Sequence, residues 1–380
     1  MTAYLDNAAT TMVCPEAAEA ALQIMTVNYG NPSSTHTMGR NAKKALETAR
    51  AQIADAIGAK PEEIFFTSCG SESDNWAILS GAQLGSRKGK HIISSMAEHS
   101  AVLKSLELLE KLGYEVTRLK PEKNGSVPVA AVEEALREDT ILVSLMLVNN
   151  ETGGITDIAG ISRAIKKKGS AALLHTDAVQ GFLKVPFTVK SLGADLITLS
   201  GHKIHAPKGV GALYARGGAK MNLAPLILGG GQEQGRRSGT EPLPQIAAFG
   251  VAAELGKKSM DESISKMAGL KALAVERLTA ENEGLRVLVS DAPHILSISL
   301  PGYKSEVMMN FLEARGVFVS KSSACKKGGR SYVLEAAGCS PDIIDGALRI
   351  GLSRYTTEDE IAALCDGIHD ARERLYTVLR

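Results

Sequence analysis

Two ionisable side chains stand where apolar, strand-like segments end, and both types can take part in covalent chemistry. Lys203 follows the apolar segment 195–199 after a short turn, and Asp177 ends another such segment. A buried lysine can form a Schiff base, because burial lowers the pKa of its amine. A buried carboxylate can keep a pyridine nitrogen protonated, and Gln180, a few residues later, could reach the phenolic oxygen of such a ring. The plain alternatives are a solvated lysine, a helix-capping aspartate and a solvated glutamine.

A third apolar segment runs into Gly70 and Ser71 just before a helical pattern begins. Backbone N–H groups at the start of a helix, together with the helix dipole, bind phosphate groups. Neither a Walker A motif nor a G-x-G-x-x-G motif is present, so ATP and NAD are not the favoured ligands. Ser71 could instead only cap the helix, and capping is compatible with phosphate binding.

His99 and Asn150 also follow apolar segments directly. An imidazole at such a position could stack on a planar ring and transfer protons near neutral pH. A lone histidine more often has a structural role. His99 therefore indicates a functional site only in combination with the other polar groups.

Cys325 lies among small residues and several cations in the hydrophilic segment 320–330. Nearby cations lower the pKa of a thiol and raise its thiolate fraction, provided that the thiol is accessible. Cys14, Cys339 and Cys365 lack this setting, and we interpret them as packing residues.

Arg349 and Arg354 lie near a strand-like stretch, and one of them could bind a substrate carboxylate through two hydrogen bonds. The segment 229–242 is rich in glycine and basic, which predicts a flexible loop that could take part in the site. The alternative is a mobile surface loop without such a role. None of these groups is decisive alone. Together, a lysine, an acid, a phosphate-binding turn, a stacking histidine and a reactive cysteine suit sulfur chemistry on pyridoxal phosphate.

The elements that must position these groups alternate between apolar strands and amphipathic helices. Predicted strands cover 63–67, 91–94, 141–148, 171–175 and 195–199, and a predicted helix covers 158–168. This alternation indicates an α/β fold with a mostly parallel sheet covered on both faces. Ligands bind beyond the carboxyl ends of strands in such sheets, which is where the polar groups fall. The pattern changes to a smaller α+β domain, so we predict domains at 1–255 and 256–380.

Length and composition limit the classes of function. The 380 residues carry a formal net charge of +1, which does not favour a nucleic-acid-binding protein. There is no run of 18 apolar residues and no secretory signal, so neither a membrane span nor secretion is expected. Five cysteines without a C-x-x-C pair indicate neither a disulfide framework nor a zinc site, and a reducing cytoplasm is the simplest compartment.

The sequence resembles the cysteine desulfurases, the NifS/IscS-like branch of the fold-type I enzymes that depend on pyridoxal phosphate. The resemblance covers essentially the whole chain, from Tyr4–Thr11 and Gly30–His36 through the groups above, in order, to Cys325 and Leu348–Ile350. It implies a fold-type I transferase with a large domain and a smaller α+β domain, with which roughly the first dozen residues would pack.

The resemblance implies a role for each matching residue. Lys203 would bind the cofactor covalently and move the proton at the α-carbon of the substrate, L-cysteine. Cys325 would receive the sulfur as a persulfide, and L-alanine would leave. The other implied contacts are Asp177 at the ring nitrogen, Gln180 and Asn150 near the ring oxygen, His99 on the ring face, Gly70, Ser71, Ser200 and His202 at the phosphate, and Arg349 and Asn31 at the substrate carboxylate.

The resemblance also implies a homodimer, because Thr240 would reach the phosphate of the partner subunit. A sulfur-acceptor protein, such as an iron–sulfur scaffold, or a small thiol would take the sulfur. Cys69 and Ser71 stand where the family usually has glycine and threonine, Ala206 replaces a usual glycine, and the Cys325 segment is short. The alternatives are a selenocysteine lyase, another lyase or aminotransferase of the same fold, and a non-catalytic sulfur-transfer partner.

Overall fold

A computed structural model of the chain describes residues 2–288, 290–321 and 329–375. The strands are β1 (Ala3–Tyr4), β2 (Ile64–Thr67), β3 (His91–Ser95), β4 (Glu115–Leu119), β5 (Thr140–Ser144), β6 (Leu173–Asp177), β7 (Leu196–Ser200), β8 (Gly211–Ala215), β9 (Arg286–Leu288), β10 (Ile295–Ser299), β11 (Val317–Phe318), β12 (Ser320–Lys321) and β13 (Ala347–Gly351).

The α-helices are α1 (Pro15–Thr26), α2 (Thr37–Ile57), α3 (Gly70–Gly85), α4 (Ser100–Lys111), α5 (Val129–Ala135), α6 (Ile158–Lys167), α7 (Val189–Leu192), α8 (Gln232–Gly235), α9 (Leu243–Lys258), α10 (Met260–Glu281), α11 (Ser305–Glu313), α12 (Tyr332–Ala336), α13 (Pro341–Asp345) and α14 (Glu358–Arg374). Single 3-10 turns lie at Pro61–Glu63, Gly201–Lys203 and Gly218–Met221.

Within the described residues, the larger sheet has seven strands in the order β2-β8-β7-β6-β5-β3-β4. β8 runs antiparallel to both of its neighbours, and the other pairs are parallel. β2, β3, β5, β7 and β8 are buried along their whole length, as expected for strands covered on both faces. The predicted α/β fold with a mostly parallel sheet is therefore confirmed.

Helix α6 shows how the local sequence determines the burial and the two ends of a helix. Its apolar residues face the core, and the carboxylate of Asp157 caps its N-terminus by accepting from Gly160 N at 2.7 Å. Lys166 and Lys167 lie in its last turn, where cations interact favourably with the helix dipole.

A second sheet, in the order β12-β13-β10-β9, packs with α10, α11 and α14 around a separate apolar core. The N-terminus joins this core, since β1 pairs in parallel with β11 and Leu5 is fully buried there. The predicted boundary between residues 255 and 256 falls inside α9, which packs on α1 and α2, and it stays a prediction.

Several elements differ from the sequence prediction at their ends. The predicted strand 141–148 is β5, which ends at Ser144, because the following residues leave the sheet and line a cavity. Helix α3 begins at Gly70, so Ser71 lies within its first turn and is not its cap. In the part of the chain that the structure describes, no helix is both long and apolar enough to cross a membrane.

Candidate active site

A cavity of about 270 Å³ lies beyond the carboxyl ends of β3, β5, β6 and β7, on the side where α3 begins. This is the edge of the sheet at which α/β folds bind ligands. The cavity is lined by Ala8, Ala9, Cys69, Gly70, Ser71, Asp74, His99, Met146, Val148, Asn150, Asp177, Val179, Gln180, Ser200, His202, Lys203 and Arg349. It therefore brings together most of the side chains that the sequence predicted for the site.

Asp177 is the last residue of β6, and its carboxylate accepts a hydrogen bond from Val179 N at 2.8 Å. Burial raises the pKa of this carboxyl, whereas His99 and Lys203 act in the opposite direction. No helix follows Asp177 directly, so the helix-capping alternative is wrong. The carboxylate faces a cavity that is also lined by the basic side chains of His99, His202, Lys203 and Arg349.

Asp74 lines the same cavity and was missed by the sequence prediction. It is buried within α3, where burial and the nearby Asp177 carboxylate raise the pKa of its own carboxyl. Asp74 follows Gly70 by one helical turn, so helical spacing from the predicted phosphate turn is the signal that could have revealed it.

Lys203 lies in the 3-10 turn that follows β7. Its amine donates to Ala8 O and Ala9 O, each at 2.6 Å. The N-terminal segment therefore supplies part of the wall that holds this amine at the cavity. Lys203 is not a solvated surface lysine.

The predicted phosphate site consists of the start of α3 and the turn after β7. The hydroxyl of Ser200 is buried and has no hydrogen-bond partner among the described residues. A methyl group on Gly70 would come within 2.8 Å of Val179 Cγ2. Any side chain at this position, where α3 begins, would therefore crowd Val179. His202 Nδ1 lies 3.2 Å from Thr10 Oγ1, and burial lowers the pKa of this imidazole to about 4. His202 is thus neutral at physiological pH.

His99, Gln180 and Asn150 lie around the remaining cavity wall. His99 caps α4, since its Nδ1 accepts from Ala101 N at 3.2 Å. Gln180 donates through Nε2 to Ala8 O at 2.8 Å, so it is not a solvated side chain. Asn150 Oδ1 is buried without a hydrogen-bond partner in the described part of the chain.

Arg349 extends from β13 into the cavity and is almost fully buried. Its Nη1 donates to Asn150 O at 2.9 Å, and its Nη2 donates to Asp6 Oδ1 at 3.1 Å. Its Nε has no partner among the described residues. Arg349 therefore brings a positive charge from the second sheet to the cavity of the first.

Two predicted residues, Asn31 and Thr240, do not line the cavity. Asn31 is exposed between α1 and α2, where its Oδ1 accepts from Ser33 N at 2.9 Å. Thr240 is exposed on the segment 229–242. Cys325 lies outside the described residues. The predicted contacts of these residues stay predictions.

The segment 229–242 is anchored rather than loose. The carboxylate of Glu233 is buried and accepts from both terminal nitrogens of Arg50 and from Phe66 N, each at 2.8 Å. Arg237 pairs with Glu72 in the first turn of α3. These contacts were missed because their partners are far apart in sequence.

The residues present fit pyridoxal phosphate. The unpartnered hydroxyl of Ser200 and the first turn of α3 suit a phosphate group, because both present hydrogen-bond donors at one end of the cavity. Asp177 provides a buried carboxylate for a protonated ring nitrogen, and Lys203 provides an amine in the same cavity. The cavity and the fold define an α/β enzyme that holds this cofactor.

The sequence model of the aminotransferase class-V family matches residues 3–364, so the chain belongs to this family. Its resemblance to the cysteine desulfurases is also confirmed. The chain is 40% identical to the cysteine desulfurase IscS of Salmonella arizonae, over 98% of this chain and 93% of that protein. Among solved structures, a NifS-like protein superposes with a TM-score of 0.93 at 36% identity, covering 99% of this chain and 100% of that chain. SspA in complex with cysteine superposes with a TM-score of 0.81 at 34% identity, covering 94% and 100%.

Proposed function

We propose that the protein is a pyridoxal-phosphate-dependent cysteine desulfurase that converts L-cysteine into L-alanine and places the sulfur on Cys325. The observation that carries this proposal is the single cavity that joins Lys203, Asp177, His99 and Arg349. When bound, pyridoxal phosphate supplies a ring that withdraws electrons from the α-carbon of the amino acid. The relatives named cysteine desulfurase support the same reaction.

Each side chain in this cavity has a separate proposed role. Asp177, buried at the end of β6, would hold the proton on the ring nitrogen. The amine of Lys203 removes and returns the proton at the substrate α-carbon. Its position in the same cavity supports this role. Arg349 binds the substrate carboxylate, with Asn31 as the second proposed contact. His99 would stack on the ring, and the start of α3 with Ser200 and His202 would hold the phosphate.

The sulfur transfer itself requires a thiolate, which we assign to Cys325. The thiolate attacks the substrate sulfur, an S–S bond forms, and the C–S bond breaks with its electron pair left on carbon. That carbon then takes up a proton, so the products are L-alanine and a persulfide on Cys325. The cations of the segment 320–330 favour the thiolate form.

We further propose a homodimer in which Thr240 reaches the phosphate of the partner subunit's cofactor. Its exposure on the anchored segment 229–242 is compatible with such a contact. A sulfur-acceptor protein, such as an iron–sulfur scaffold, would receive the persulfide sulfur. A reducing cytoplasm suits an enzyme whose nucleophile is a free thiol.

Product analysis tests the proposal. The loaded protein, given L-cysteine and a thiol reductant, is expected to release L-alanine and sulfide in equal amounts. Lys203→Ala should release neither, and Lys208→Ala, which changes an exposed lysine nearby, should behave like the native protein. Pyruvate and ammonia in place of alanine would instead identify a lyase. Equal activity in both lysine variants would contradict the assignment of Lys203.

A further inference from the structure

Two side chains at the start of α12 bind the loops that carry His99 and Asn150. Tyr332 OH donates to Glu98 O at 2.7 Å. The hydroxyl of Ser331 donates to the carboxylate of Glu151 in a short hydrogen bond. Both contacts join the C-terminal part of the chain to the large sheet, and neither side chain lines the cavity.

The two acceptors are the immediate neighbours of residues in the cavity wall. Glu98 precedes His99, and Glu151 follows Asn150. Because a peptide unit is rigid, a displacement of the Glu98 carbonyl moves the backbone of His99 directly. The ring of His99 is also held by the first turn of α4, so its position depends on where that loop is fixed.

The loop with Glu151 is fixed from the same side. Ser331 and Glu151 are both buried, so their contact is shielded from water, whereas the bond from Tyr332 to Glu98 O is part-buried. Arg349 adds a further bond from β13 to this loop by donating to Asn150 O. Burial raises the pKa of Glu151 to about 7, while the Ser331 hydroxyl, Arg349 and His99 act in the opposite direction. The Ser331 hydroxyl therefore stabilises the carboxylate form of Glu151.

We propose that Ser331 and Tyr332 are positioning residues, which set His99 and Asn150 at the cofactor from outside the cavity. The inference rests on the proposed function, in which both residues contact the bound ring. It adds a dependence of the cofactor site on Ser331 and Tyr332, which lie six and seven positions after Cys325 in the sequence.

Tyr332→Phe is the sharpest test, because it removes one hydroxyl and keeps the ring. Loss of one hydrogen bond corresponds to a change of about 3- to 10-fold. We expect the affinity of the apoprotein for pyridoxal phosphate to fall by about this factor. The visible circular dichroism of the loaded protein should also change, because it reports the asymmetric surroundings of the ring. Ser331→Ala should act in the same direction.

Matched controls separate positioning from general loss of structure. Tyr303→Phe removes a hydroxyl that donates to Arg372 O, and Ser299→Ala removes one that donates to Ile343 O. Neither partner belongs to the cavity, so both controls should keep native affinity and native circular dichroism. In a His99→Ala background, Tyr332→Phe should cause much less further change, because its effect passes largely through His99.

The outcomes distinguish this inference from the proposed function. A native protein that fails to bind pyridoxal phosphate would refute both. A native protein that binds the cofactor and forms alanine, beside a Tyr332→Phe variant with native affinity and spectrum, would refute only the positioning role. An undiminished effect of Tyr332→Phe in the His99→Ala background would refute it too.

Discussion

The buried ion pair between Arg50 and Glu233 is predicted to be the main anchor of the segment 229–242. The side chains of both residues are more than nine-tenths buried, and the carboxylate accepts three hydrogen bonds at 2.8 Å. Glu233→Gln keeps the shape but removes the charge, which leaves the buried Arg50 guanidinium with the half-exposed Glu47 carboxylate, 3.4 Å from its Nε, as its remaining counter-ion among the described residues. Breaking a buried pair in this way costs about 3–5 kcal/mol. Since Arg50 retains its bond to Ile64 O at 2.7 Å, we expect the lower part of this range.

Urea unfolding measures this loss directly. The protein has a single tryptophan, Trp76, which is fully buried against Phe65 of β2, so its fluorescence reports on the larger sheet. The exposed pair of Arg137 and Glu115 supplies the control, since Glu115→Gln should leave the unfolding free energy close to native. A Glu233→Gln variant as stable as this control would show that the ion pair does not anchor the segment. Destabilisation of both variants to the same extent would refute the anchoring role as well.

Three further predictions concern the cofactor site. Asp177→Asn should retain pyridoxal phosphate but lower the rate of alanine formation more than about 100-fold, and native turnover at full cofactor content would contradict this. Gly70→Ala should weaken cofactor binding at least about tenfold, because the methyl group meets Val179 Cγ2, whereas Gly269→Ala, with open space around it, should bind as the native protein does in the same titration. Thr240→Ala should lose pyridoxal phosphate faster on dialysis, and equal retention, or a monomer in light scattering that retains the cofactor as tightly as the native protein, would contradict the shared site.

The strands were predictable because they are short apolar segments that end in polar residues. β2, β3, β6 and β7 lie within about two residues of their predicted positions. The position of Asp177 and Lys203 at one cavity then followed from the rule that parallel strands present their carboxyl ends at one edge. The catalytic and binding roles of these residues came from the resemblance, because strand periodicity alone does not indicate what a residue does.

Contacts between distant segments were not predictable from local patterns. Arg50 and Glu233 are 183 residues apart, and Lys203 binds carbonyl groups from the N-terminal segment. Strand β8 was also missed, although it is buried and pairs with β2 and β7. Such pairings depend on how the whole chain folds. A sequence segment as short as one helix or strand does not contain that information.

We propose that Cys325 carries the sulfur taken from L-cysteine. Mass spectrometry of the peptide that contains residue 325, after the loaded protein has reacted with L-cysteine without a reductant, tests this role. We expect one added sulfur atom on Cys325 of the native protein. Cys325→Ser should retain the cofactor absorbance, bind L-cysteine and form no alanine. Unchanged alanine formation in this variant, or the added sulfur on Cys69 or Cys339, would rule out Cys325 as the sulfur acceptor.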